Sequence, residues 1–72
     1  MNSTRELDAG FDRIRSPSGK LVYLYLATSG EATIGELKSA LDLSQVRLYP
    51  ILRTLRDRGL IEQRESDHFA PA

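Results

Sequence analysis

Three capping signals and two glycines cut this chain into helices before any other property is considered. Ser16 followed by Pro17 reads as an N-cap and first helical residue: the hydroxyl accepts an orphan amide, and proline lacks the N–H that would be orphaned there. Gly30 supplies the matching stop, because a residue without a β-carbon readily takes the left-handed conformation that ends helices. "TIGE" is a capping box in which Thr33 caps and Glu36 reaches back, opening a shorter helix from Ile34 to about Leu41. After the tight turn "DLS", Ser44 caps a longer helix that runs to Gly59.

Periodicity then assigns faces. Nearly every position of "LVYLYLATS" is apolar, which predicts the central, most buried helix, with Tyr23 and Tyr25 as core bulk with polar ends rather than a ligand site. Ile34, Leu37 and Leu41 share one side of the second helix. In the third, Leu48, Ile51, Leu52 and Leu55 form the packing face, with Val46, Pro50, Arg53 and Asp57 opposite, flanked by Arg47, Tyr49 and Thr54. "EA" after Gly30 suits a short strand. The tail "LIEQRESDHFAPA" alternates apolar and polar residues, turns at Ser66 and Asp67, and returns as a β-hairpin, with Pro71 expected to confine the return strand to an edge. Residues 1–15 form an N-terminal amphipathic helix or arm, with a second capping box (Ser3, Glu6) and a narrow stripe of Leu7, Phe11 and Ile14. That stripe has two readings, a dimer contact or a cover for the core of its own domain, residues 16–72.

Composition narrows the class. A 72-residue chain buries only about 60% of its unfolded surface, and with no cysteine and a single histidine, His68, neither disulfides nor a structural zinc can staple it. Helix packing or oligomerisation must carry its stability. The lack of cysteine fits a reducing interior, and the longest apolar run, Leu21 to Ala27, is too short for a membrane span, so a cytoplasmic protein is expected. The first fifteen residues mix Arg5, Arg13 and Arg15 with Glu6, Asp8 and Asp12, unlike a signal or transit peptide. Carboxylates are scattered singly among arginines, no glycine-rich phosphate loop occurs, and His68 beside Asp67 reads as a surface residue of the hairpin. The chain reads as a non-enzyme with no metal or cofactor. Net charge is zero but uneven: four arginines against Asp57 between Ser44 and Arg58, then Glu62, Glu65 and Asp67 against Arg64 after Gly59.

Helix, short strand, short helix, tight turn, longer helix, hairpin is the order of a winged helix-turn-helix, mainly α with a small β-hairpin and here an additional N-terminal helix. In that fold the longer helix lies in a DNA major groove. Gln45, Arg47, Tyr49 and Arg53 then supply reading groups, since arginine pairs bidentately with guanine and glutamine with adenine. Thr33, Ser44, Val46, Pro50 and the wing's Arg64 complete the expected contact set with double-stranded DNA. The plain alternative is a solvated helix face that merely carries arginines.

"VYLYL", "GEATIGEL" and "LYPILRTLRDRGLIE" together resemble the winged-helix domains of the PadR and TrmB families of prokaryotic transcription regulators, and more distantly MarR. Leu48, Tyr49, Pro50, Leu52, Leu55, Gly59, Leu60 and Ile61 carry the PadR-like pattern; Val22, Tyr23, Leu24, Leu26, Gly30, Ala32, Thr33, Glu36 and Leu37 are more TrmB-like. The resemblance implies sequence-specific DNA binding by a homodimer. It also implies a following dimerising helix or effector domain, for which a chain ending soon after the hairpin leaves no room. In PadR-type domains a tyrosine-proline pair lies inside the recognition helix, so Pro50 either stiffens the reading end or sits in the first turn of a helix that starts later. The acidic wing departs from the basic hairpins of such domains: it points away from DNA or relies on Arg64 and His68. A protein-interaction module without specific DNA binding is therefore the competing function.

Overall fold

The computed structural model of the protein describes residues 14–72. In chain order these form α1 (Pro17–Ser29), β1 (Ala32–Thr33), α2 (Ile34–Leu41), α3 (Gln45–Asp57), β2 (Ile61–Glu65) and β3 (His68–Pro71). Leu7 and Phe11, offered above as dimer contacts, lie outside the described residues.

The helix boundaries expected from the caps between Ser16 and Gly59 are present, while the Ser3 and Glu6 capping box lies outside the described residues. Ser16 Oγ accepts the Gly19 N–H at 3.1 Å. The Thr33 hydroxyl accepts the Glu36 N–H at 3.1 Å while the Glu36 carboxylate accepts the Thr33 N–H at 2.8 Å, closing the capping box. Ser44 Oγ accepts the Arg47 N–H at 3.3 Å. At the end of α3, Gly59 adopts φ 76°. Its N–H donates to the Arg56 carbonyl at 2.9 Å, and the next residue, Leu60, donates to the Leu55 carbonyl at 3.0 Å. That is the Schellman arrangement, and Leu55 and Leu60 are both buried, as its usual apolar contact requires. Between α2 and α3, Asp42 takes the left-handed conformation (φ 53°), which aspartate tolerates better than most residues.

The three strands form one antiparallel sheet in the order β1-β3-β2. This corrects the expected place of the return strand: β3 is central, not an edge. Ala32 and Thr33 pair with Phe69 and His68, so β1 does not extend along the sheet as far as Pro71. On the other side Pro71 faces Ile61, while the Ala72 N–H donates to the Leu60 carbonyl at 3.0 Å. Hydrogen-bonded and non-hydrogen-bonded pairs alternate, so the missing N–H of Pro71 points to the side that β1 leaves open. The β2–β3 register shifts between Gln63 and Glu65, which makes Arg64 the extra residue of a bulge.

The core joins all these elements: Val22 and Leu26 of α1, Leu37 of α2, Leu48, Leu52 and Leu55 of α3, Ile61 of β2 and Phe69 of β3. The apolar run of α1, read as the central, most buried helix, is buried along one side only. Gly19, Val22, Tyr23 and Leu26 turn inward, but Leu21 is 51% and Leu24 38% exposed. Two helices and a small sheet cover one side of α1 only, so the sequence run overstates its burial. Ile14, grouped with Leu7 and Phe11 in the stripe read as a dimer contact or a cover for its own core, packs in the core cluster at 5% exposure. Among the described residues no helix is long and apolar enough to cross a membrane.

Candidate nucleic-acid interface

Helix α3 is anchored by Leu48, Leu52 and Leu55 and presents its opposite side to solvent. Val46 is 82% and Tyr49 51% exposed, high values for apolar and aromatic side chains, and Gln45, Arg47, Pro50 and Arg53 are exposed beside them. The Gln45 side-chain amide donates to the Tyr49 hydroxyl at 2.8 Å, one turn along the helix, which holds an amide and an aromatic ring together on the open face.

The alternative start for α3 is excluded. Ser44 is the N-cap and Gln45 the first helical residue, so Pro50 lies inside the helix rather than in its first turn. The Val46 carbonyl therefore loses the donor it would have at position 50, and Val46 is exposed enough for water to replace it.

The arginines divide by neighbour. The Arg47 guanidinium turns back to the start of α1 and donates to Ser18 Oγ at 3.3 Å. Arg56 turns to the hairpin and donates to Gln63 Oε1 at 2.6 Å, and the Gln63 amide in turn donates to the Ser66 carbonyl at 2.9 Å. A shallow groove between α3 and the hairpin, lined by Tyr49, Arg53, Arg56, Gln63 and Ser66, lies over this chain of bonds. Arg56, Gln63 and Ser18 are absent from the residues expected above. Only the register of the bulged hairpin brings Gln63 to Arg56, and only the helix packing brings Ser18 to Arg47.

Two expected contacts are engaged elsewhere. Arg64 sits between Glu31 and Glu62, at 3.7 and 3.6 Å, with about half of each side chain exposed, so the wing's one arginine is offset by carboxylates. The Thr33 hydroxyl is occupied in the α2 capping box. His68 faces Asp67 at 3.3 Å and is half-buried. No group of acidic or histidine side chains among the described residues is placed to hold a metal.

No curated protein and no solved structure matches the chain significantly. The family model described as the sugar-specific transcriptional regulator TrmB matches residues 17–71, from the first residue of α1 to the last of β3. This span is the whole winged helix-turn-helix, and the chain belongs to the TrmB family of transcriptional regulators.

Proposed function

We propose that this domain binds double-stranded DNA sequence-specifically, with the N-terminal half of α3 in the major groove, as the reading head of a prokaryotic transcription regulator. The open face of α3 carries the reading: Gln45, Val46, Tyr49 and Arg53 project from a helix whose other side is locked into the core. Arg53 and Gln45 have the donor geometry for guanine and adenine, and Val46 suits a thymine methyl group. Arg47, drawn to Ser18 at the N-terminus of α1, is set for a phosphate, because helix N-termini and their hydroxyls favour anions. With Arg64 offset by Glu31 and Glu62, the wing adds little positive charge, and α3 supplies most of the contact.

The test is in vitro selection of a duplex followed by titration of variants against it and a scrambled duplex. Arg53→Ala should cost about 1–3 kcal/mol on the selected duplex and little on the scrambled one, whereas Arg47→Ala should weaken both alike. Affinity should also fall steeply with salt. Failure to enrich any duplex, with salt-insensitive binding to a protein partner instead, would establish the interaction-module reading, which the acidic wing and the exposed Val46 and Tyr49 favour.

A further inference from the structure

The hairpin grips α3 at one charged side chain. The Arg56 guanidinium donates to Gln63 Oε1 at 2.6 Å, and the Gln63 amide donates to the Ser66 carbonyl at 2.9 Å. These neighbours admit one orientation of the Gln63 amide, because a carbonyl only accepts and a guanidinium only donates. Gln63 is thus pinned from the hairpin turn, and it fixes a long side chain that is otherwise exposed. Only one guanidinium N–H of Arg56 is used on Gln63, so donors remain for a ligand. The charge around this contact is uneven. The groove between α3 and the hairpin has Arg53 and Arg56, neighbours at i and i+3, on its helix wall, buried Leu52 and Phe69 as its floor, and no acidic residue. Glu62 and Glu65 line a separate hollow that shares Arg56 and Gln63 with it. Among the described residues no carboxylate pairs with Arg53 or Arg56. An anion entering the groove therefore meets two arginines and no opposing charge.

We propose that Gln63 is a positioning residue for DNA: it fixes Arg56 at the edge of this groove, and Arg56 binds a phosphate of the backbone strand that runs between α3 and the hairpin. The inference rests on duplex binding through α3, as proposed above, but not on sequence-specific reading. Arg53, one turn nearer the N-terminal half of α3, keeps its base contact and adds to the attraction. The wing then strengthens binding without presenting a charge of its own, Arg64 being offset by Glu31 and Glu62. The gain comes from preorganisation, since an arginine already held loses less rotamer freedom when it meets the phosphate.

Arg56→Ala, Gln63→Met and the double variant are titrated beside the wild type against a selected and a scrambled duplex at several salt concentrations. Methionine keeps the reach of glutamine without its acceptor, and both side chains are exposed, so neither change removes core packing. Arg56→Ala should weaken both duplexes alike, by about tenfold or more, and lower the logarithmic salt slope by about 0.9. Gln63→Met should weaken both by about two- to tenfold, the cost of ordering one freed side chain, with the slope unchanged. In the Arg56→Ala background the same Gln63→Met change should have no further effect on affinity. A loss that persists in full in that background overturns the proposal, because Gln63 would then act on DNA or on the hairpin independently of Arg56. Wild-type affinity and slope in Arg56→Ala overturn it as well. If no duplex is enriched but these effects hold on the scrambled one, sequence-specific reading alone fails; binding to neither duplex at low salt refutes both.

Discussion

Replacing Pro50 by alanine should make this protein more stable and a poorer reader of DNA. Pro50 is the sixth residue of α3, counted from Gln45, and having no N–H it cannot donate to the Val46 carbonyl. An internal proline costs a helix about 3 kcal/mol through the lost hydrogen bond and the clash of its ring with that carbonyl. Two terms oppose the gain on removal. Proline restricts the unfolded chain, which is worth about 0.4–1 kcal/mol, and its ring contributes to the apolar lining beside Ile51 and Thr54, a small term for an exposed residue. The balance is a stabilisation of about 2 kcal/mol, or a rise in Tm of roughly 8–16 °C for a domain of this size. Thermal and urea denaturation monitored by circular dichroism measure both, with the urea m-value expected to stay constant. Equal or lower stability would refute the reasoning, because it would mean that α3 already accommodates the ring without loss. The functional half of the prediction tests whether Pro50 sets the projection of Gln45, Arg47 and Tyr49, which lie on its N-terminal side. Affinity for a selected duplex should fall while stability rises, and unchanged affinity would remove the positional role.

Gly19→Ala gains up to about 1 kcal/mol of helix propensity but forces a contact at 2.9 Å with the stiff, β-branched Ile14, an overpacking worth about 1–3 kcal/mol. The expected net loss of about 1 kcal/mol, read by urea denaturation, should vanish or reverse in an Ile14→Leu background, which lacks the Cγ2 branch; equal effects in both backgrounds would show that the two residues are not coupled. Glu31→Gln combined with Glu62→Gln should leave stability within about 1 kcal/mol, since both pairs with Arg64 are exposed. The same variant should bind duplex DNA with a steeper salt dependence, by about 0.9 in logarithmic slope if Arg64 gains one phosphate, and an unaltered slope would place the wing off the backbone.

Features that depend on a few neighbouring residues are legible in this chain. Ser16, Thr33 and Ser44 cap helices because a hydroxyl reaches an amide two or three residues ahead, and Gly30 and Gly59 end them because left-handed backbone is nearly free of cost for glycine. The packing face of α3 follows in the same way from spacing along a single helix. Together they also define the element order that marks a winged helix-turn-helix, and the family match covers that same span.

Features that need two distant segments are not. Apolarity along α1 does not say how many sides will find a partner, so Leu21 and Leu24 read as core and stand exposed. Pro71 argues for an edge strand until the short reach of β1 shows that a central strand can tolerate it at its end. Arg64 reads as the wing's contact to DNA, Arg56 as one charge among several and Gln63 as a strand residue. Pairing Arg64 with Glu31 and Glu62, and Arg56 with Gln63, takes the bulge and the docking of the hairpin on α3. Local backbone chemistry placed the helices and their faces; tertiary packing decided which charges remain available and sent Ile14 inward, because burial and ion pairing are settled by whichever surfaces the fold brings together.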